Sequence, residues 1–139
     1  MIKDRHTGFL ESLVTIIKDT SYSSRFRHAA GLVYKGRFLS IGVNQNKSHP
    51  FHAKFSHHSQ AIFLHAETDA IKNLIKKYNE PDSLLKQCTL YIARIKYYED
   101  RQKTIWGLSK PCIGCVKAIL TFEIPRVIYS LDGDGYKLL

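Results

Sequence analysis

Long hydrophobic runs and cysteines are scarce in this sequence. No stretch approaches the roughly eighteen consecutive apolar residues of a membrane-spanning helix, so we expect no membrane partner. The 139 residues include three cysteines, two of them in one C-x-x-C pair, which argues against a disulfide framework. Residues 1–20 lack an uninterrupted apolar segment, and Asp4, Glu11 and Asp19 argue against a transit peptide. These absences predict a soluble protein of a reducing compartment, the cytoplasm.

Acidic residues are also few, 12 against 21 lysines and arginines, which gives a formal net charge of +9. Such a field attracts anions, either a nucleotide phosphate or a polynucleotide. The lysines are scattered along the chain, so a basic surface that only maintains solubility is the alternative. Charge alone does not choose the substrate.

The chain has no repeat, low-complexity tract or linker, so a single domain over residues 1–139 is expected. Apolar periodicity predicts the order α-β-β-α-β-α-β-β. The predicted helices span residues 5–20, 65–78 and 112–122, and the predicted strands span residues 29–34, 38–43, 88–95, 126–130 and 136–139. Residues 44–59 and 97–109 are predicted loops, and Pro81 is expected to stop what remains of the second helix.

Two short segments, residues 65–67 (HAE) and 111–115 (PCIGC), together carry the ligands of a metal site. The imidazole of His65 and the thiols of Cys112 and Cys115 form a soft three-ligand set that suits zinc. Three protein ligands leave the fourth tetrahedral position open for water, as catalytic zinc requires. A closed zinc site that only stabilises the fold is the alternative. It needs a fourth protein ligand, and the spacing near Cys112 indicates none.

Glu67 follows the histidine by two residues and can stand beside that water without binding the metal. A glutamate in the first turn of a helix that merely interacts with the macrodipole is the alternative. The combination H-x-E and P-C-x-x-C is the pattern of zinc-dependent nucleobase deaminases, in which the glutamate is the general acid and base. By this pattern the chain resembles the cytidine/deoxycytidylate deaminase superfamily.

This resemblance implies a fold and a reaction. The fold is a three-layer α/β/α sandwich with a mixed five-stranded sheet. The activity is that of a hydrolase acting on C–N bonds of cyclic amidines, with one catalytic Zn²⁺ on His65, Cys112 and Cys115. The reaction is loss of ammonia from a base, with Glu67 as the proton carrier.

Further site residues are implied by the same resemblance. The segment 42–44 (GVN) looks like the family's G-x-N, whose asparagine, here Asn44, hydrogen-bonds the substrate sugar. An ordinary turn residue is the alternative for Asn44. Ala66, Ser109 and Pro111 occupy positions where relatives present the backbone to the base.

The final strand departs from part of the superfamily. Only about two residues separate the strand ending at Ser130 from the turn at Asp132, and a parallel strand needs a crossover of a dozen or more. The fifth strand is therefore predicted to be antiparallel, which resembles the arrangement in free-nucleoside deaminases and in some compact viral or bacterial deaminase domains. Residues 111–130 nevertheless look most like the deoxycytidylate group, and the substrate stays open.

Three functions follow from these observations. The first is deamination of cytosine in a nucleoside or nucleotide. The second is action on cytosine or adenine in single-stranded DNA or RNA, which the charge and the aromatic and basic residues near residues 97–109 favour; these are Arg94, Lys96, Tyr97, Tyr98, Arg101 and Lys103. The third is a non-catalytic zinc module that binds nucleic acid or protein, which Glu67 disfavours. Relatives often form oligomers, so a homo-oligomer is expected. If the chain is viral, the expected location is the cytoplasm of the host.

A histidine-rich stretch lies in the predicted loop of residues 44–59. Its histidines at 49, 52, 57 and 58 suggest a second metal site, since histidine-rich tracts bind metals. No cysteine or carboxylate accompanies them. A gate or substrate-facing loop is the favoured interpretation, and a second zinc is the alternative.

Overall fold

The computed structural model describes residues 4–20, 27–44, 65–98 and 103–139. Its helices are α1 (Arg5–Thr20), α2 (Ala66–Lys77), α3 (Pro81–Leu85) and α4 (Ile113–Thr121). Its strands are β1 (His28–Tyr34), β2 (Arg37–Val43), β3 (Thr89–Tyr98), β4 (Lys103–Trp106), β5 (Arg126–Ser130) and β6 (Tyr136–Leu138). The predicted helices and strands are confirmed, with ends that differ by at most three residues.

The strands form one mixed sheet in the order β2-β1-β3-β5-β6, and β4 pairs with β3 outside this path. β3 and β5 are parallel, whereas the β1–β2, β1–β3 and β5–β6 pairs are antiparallel. The antiparallel final strand is confirmed, with Ile128 opposite Leu138. The sheet has six strands, five of them in the main path, because β4 adds one that the sequence pattern did not predict.

Successive side chains of the strands point to opposite faces of the sheet and pack into two separate cores, one on each face. On the first face α1 packs against Tyr91 of β3 and Ile128 of β5. On the second face α2 and α4 pack against Leu32, Leu90 and Ile92. Helices therefore cover both faces, and the three-layer α/β/α arrangement is confirmed. Within the described ranges, no helix has the length and apolar character to cross a membrane.

The predicted loop over residues 97–109 is wrong in two places. β3 continues to Tyr98, and residues 103–106 return as β4 in an antiparallel register from Ile95↔Trp106 to Tyr98↔Lys103. Gly107 extends the ladder by donating its N–H to the Arg94 carbonyl at 2.8 Å. The polar composition of this segment suggested a loop. The pairing of β3 with β4 is made by backbone groups, however, and does not require a row of apolar side chains.

Pro81 has a different role from the expected one. α2 ends at Lys77, and the Tyr78 N–H donates to the Leu74 carbonyl at that end. Pro81 is the first residue of the short helix α3. Its missing N–H has no cost there, because the first N–H groups of a helix lack partners in any case.

Candidate active site

The three predicted metal ligands meet between the starts of α2 and α4. His65 immediately precedes α2, Cys112 immediately precedes α4, and Cys115 lies in the first turn of α4. The His65 Nδ1 atom is 3.5 Å from the Cys112 Sγ and 3.4 Å from the Cys115 Sγ. All three donor atoms lie within 4.8 Å of one another. A tetrahedral zinc with bonds of about 2.1 Å to nitrogen and about 2.3 Å to sulfur separates such donors by about 3.6 Å, so the set fits one zinc ion.

Both helix starts leave these side chains available for a metal. His65 and Cys112 are N-cap residues, yet neither side chain makes a capping hydrogen bond. Their carbonyls instead begin the helices by accepting the Asp69 and Val116 N–H groups, each at 2.9 Å. The positive ends of two helices therefore lie at the donor set, where they favour thiolate sulfur.

Protonation of the sulfurs is asymmetric. Hydrogen bonds from Cys115 and His65 lower the pKa of the Cys112 thiol to about 3. The pKa of Cys115 is raised, because its thiol is the donor to Cys112 and is buried. The hydrogen bond to Cys112 raises the pKa of His65. These hydrogen bonds favour the thiolate form of Cys112, and a cation bound by both sulfurs would displace the Cys115 proton.

Glu67 is buried in the first turn of α2, with 6% of its surface exposed. Burial raises the pKa of its carboxyl group, and the neighbouring His65 opposes this shift only in part. A carboxyl group with a raised pKa exchanges protons closer to neutral pH, as general acid–base catalysis requires. Glu67 lines the same cavity as His65 and Cys112.

A cavity of about 240 Å³ opens beside the donor set. Its walls come from the ends of β1 and β2, the start of α2 and the loop before α4. The lining residues are His28, Asn44, His65, Ala66, Glu67, Ser109, Lys110 and Cys112. Three of the four predicted substrate contacts, Asn44, Ala66 and Ser109, line the cavity. The fourth, Pro111, is buried between the lining residues Lys110 and Cys112. The structure therefore brings together the metal ligands, the glutamate and these three residues.

Asn44 joins the ends of two strands as well as lining the cavity. Its side-chain Oδ1 accepts the N–H groups of Arg27 and His28, each at 3.0 Å. Its own N–H donates to the His28 carbonyl at 3.4 Å. Asn44 therefore joins the start of β1 to the end of β2 and lines the cavity, while its contact with a substrate sugar stays a prediction.

The start of α2 lies directly on β2. A methyl group added at Gly42 would overlap the Ala70 nitrogen and come within 2.5 Å of the Ala66 carbonyl oxygen, so glycine is required by close approach. The buried Asp69 accepts the Val43 N–H at 3.0 Å through Oδ2. Ser40 donates to the Ala70 carbonyl at 2.8 Å, and Asn73 donates to the Ile41 carbonyl at 2.8 Å. Sequence reasoning missed Asp69, because helical spacing places it away from the apolar stripe of Ile71 and Leu74 and because its partner Val43 lies on a distant strand.

The loop before α4 is held by two buried serines. Ser109 donates through Oγ to the Ile92 carbonyl at 2.8 Å and accepts the Ser130 N–H at 2.8 Å. Ser130 donates through its own Oγ to the Gly107 carbonyl at 2.7 Å. The Ser109 side chain and its N–H, which donates to the Ser130 carbonyl at 3.0 Å, are therefore occupied in fixing the loop, which leaves the Ser109 carbonyl for any substrate contact.

His28 is a cavity residue that was not predicted from the sequence. It begins β1, pairs across the sheet with Arg94, and lies on the same face as Ala30, the face of α2 and α4. Burial, then the charges of Arg94 and His65, lower the pKa of His28 to about 4. A polar residue that opens an otherwise apolar strand was the available signal.

Two predictions lie outside the described residues. The histidines at 49, 52, 57 and 58 belong to residues 45–64, so the second metal site and the gate loop stay predictions. The same holds for the predicted nucleic-acid surface, because Arg101 and the side chains of Tyr97, Tyr98 and Lys103 are not described.

Comparison with known proteins identifies the class of this fold and site. Over residues 3–131 the sequence matches the family described as the cytidine and deoxycytidylate deaminase zinc-binding region. The chain belongs to this family of deaminases, and the family resemblance expected from the sequence is confirmed. Among curated protein sequences, no significant match to this chain is found.

Solved structures of deaminases share the fold. The dCMP deaminase of cyanophage S-TIM5 in apo form has a TM-score of 0.59 and 19% identity over 94% of this chain and 86% of that chain. Its complex with dCMP and dUMP has a TM-score of 0.59 and 18% identity over 94% and 84%. The cytidine deaminase of Burkholderia pseudomallei has a TM-score of 0.59 and 17% identity over 96% and 91%.

Proposed function

We propose that this chain is a zinc-dependent hydrolase that deaminates cytosine in a free nucleoside or nucleotide. The observation that carries the proposal is the placement of three donor atoms within 4.8 Å of one another beside the buried Glu67. Both groups face one cavity, so a ligand there reaches the metal position and the carboxyl group together. The family match and the fold shared with dCMP and cytidine deaminases support the substrate class.

When bound, zinc supplies Lewis acidity that activates a water at neutral pH. Glu67 accepts a proton from the attacking water and delivers it to N3 of the cytosine ring. Oxygen adds to C4, and Glu67 carries the second proton to the amino group. The C4–N bond then breaks, and ammonia and the uracil compound are the products.

The other two functions have less support. A structural zinc module needs a fourth protein ligand, and the metal-binding group found among the described residues has three. The side chains that favoured single-stranded nucleic acid are in large part undescribed, so that substrate remains an alternative. Homo-oligomer formation and action in the cytoplasm, or a host cytoplasm, also remain predictions.

A substrate panel tests the proposal. Purified zinc-loaded protein is incubated with cytidine, deoxycytidine, their monophosphates, adenosine and a mixed single-stranded oligonucleotide, and ammonia and deaminated bases are measured. We expect ammonia from a cytosine nucleoside or nucleotide. Turnover of the oligonucleotide alone would favour the second function. No turnover from a protein that holds its zinc fully would favour the third.

A further inference from the structure

The side-chain oxygen of Asn44 is already used in hydrogen bonds to the backbone. Its Oδ1 already accepts two backbone N–H groups at 3.0 Å, one from Arg27 and one from His28. A side-chain amide has one oxygen acceptor and one NH₂ donor group. Asn44 therefore faces the cavity as a donor, and a ligand group that must also give up a proton needs an acceptor from another residue.

His28 is the neighbour of Asn44 in the cavity wall. The His28 N–H donates to the Asn44 Oδ1 at 3.0 Å and the Asn44 N–H donates to the His28 carbonyl at 3.4 Å, which fixes the two residues side by side. Among the described residues, none makes a hydrogen bond to the His28 ring, and His28 lines the cavity. A neutral imidazole offers one N–H donor and one nitrogen acceptor. His28 can therefore supply the acceptor that Asn44 lacks.

A hydroxyl group is the ligand feature that needs both partners, since it donates one proton and accepts through oxygen. We propose that His28 and Asn44 together recognise one hydroxyl group of the substrate sugar. The Asn44 NH₂ group donates to the hydroxyl oxygen, and the His28 ring nitrogen accepts the hydroxyl proton. This inference rests on the proposed function, and it makes His28 a specificity residue for the sugar.

The test combines sugar analogues with variants of His28. Binding by calorimetry and kcat/KM are measured for cytidine and for its 2′-deoxy, 3′-deoxy and 2′,3′-dideoxy analogues, or for their 5′-monophosphates if the panel requires phosphate. The proteins are wild type, His28→Phe, His28→Gln and the control Tyr34→Phe, which alters the far end of the same strand. Zinc content is measured for each.

We expect wild type to lose about tenfold in affinity and in kcat/KM when one particular hydroxyl is removed, because a buried polar pair is left without its partner. In His28→Phe this preference should disappear, whereas His28→Gln should keep part of it, since its amide oxygen also accepts a proton. Tyr34→Phe should match wild type. If His28→Phe does not fold, His28→Ala replaces it.

The outcomes separate the two proposals. Equal losses for all four sugars in His28→Phe, or an unchanged preference, would overturn the role of His28 and leave the deaminase intact. Wild type that binds these compounds but deaminates none would overturn the function, and the binding preference would still decide the role of His28. Absence of both binding and turnover would overturn both.

Discussion

Two helix starts meet at the candidate active site, and they are anchored in different ways. The start of α2 is buried from Ala66 to Ala70 and is tied to β2 by its own side chains Asp69 and Asn73. The start of α4 exposes Cys112 and Ile113. The loop that precedes it, not α4 itself, carries the serine hydrogen bonds described above.

This difference assigns separate tasks to the two sides. The α2 side holds Glu67 in a fixed, water-poor position, which suits a group that must transfer protons with defined geometry. The α4 side presents one exposed sulfur and one buried sulfur, which gives a metal a route to the site. We therefore expect changes at Glu67 to affect turnover, changes at the α2–β2 contact to affect the fold, and changes at the two cysteines to affect metal affinity.

The largest expected effect is at Glu67. Glu67→Ala should lower kcat by about 10²- to 10⁴-fold, because the proton carrier is lost, while zinc content and Tm stay close to wild type. Steady-state kinetics and metal analysis check this outcome. Retained turnover would contradict the proposed role.

On the α4 side, Cys115→Ser should abolish stoichiometric zinc binding, because one of three soft ligands is lost. Cys88→Ala is the matched control, since Cys88 is buried in the core away from the donor set. Metal analysis after dialysis separates the two. Stoichiometric zinc in Cys115→Ser would show that another ligand replaces it.

Gly42→Ala should destabilise the protein by about 3 kcal/mol, because the new methyl group overlaps the backbone of α2. Gly8→Ala is the control, since a methyl group there meets nothing within 4 Å and replaces a glycine inside α1. That control should be neutral or stabilising. Urea denaturation measures both, and equal stabilities would refute the close contact.

Ser130→Ala should cost about 2 kcal/mol and weaken zinc binding, because it removes a buried hydroxyl that holds the Gly107 carbonyl. Ser12→Ala removes an exposed hydroxyl that bonds within α1 and serves as the control. Lost stability with unchanged zinc affinity would show that the loop does not position the cysteines.

The smallest effect concerns the exposed Asp132, whose carboxylate accepts the Leu108 N–H at 3.0 Å and contacts Lys96 at 2.6 Å. The Lys96 side chain, then the Leu108 N–H, lower the pKa of Asp132. A lowered folded-state pKa gives stability that is present above the unfolded-state pKa of 3.8 and is lost as the pH falls through the folded-state pKa. Asp132→Asn should slightly lower Tm at pH 7, and the difference from wild type should shrink in acid.

Much of the fold was predictable, because apolar periodicity follows burial directly. Helix α1 and strand β5 appear where their apolar side chains recur at periods that match helix and strand. β4 was not predictable in this way, since its residues Lys103–Trp106 pair through the backbone and outside the main sheet path.

The site divides similarly. His65, Cys112 and Cys115 were predictable because metal ligation limits residue type and spacing. The roles of Asp69 and Ser130 depend on which backbone groups lie opposite them, and His28 becomes a site residue only when β1 and β2 pair. Those partners are distant in the sequence, so no local pattern reveals them.

The order of assembly follows from the sheet topology. β1, β2 and α2 are neighbours along the chain and in space, so the His65 half can form early. The cysteine half depends on Ser130 and on the parallel β3–β5 pair, which requires the crossover through α4 and is intrinsically slow to form. We therefore expect the donor set to be completed late in folding. Zinc should then slow unfolding and leave the folding rate unchanged. Bound zinc would in this way stabilise the native state kinetically.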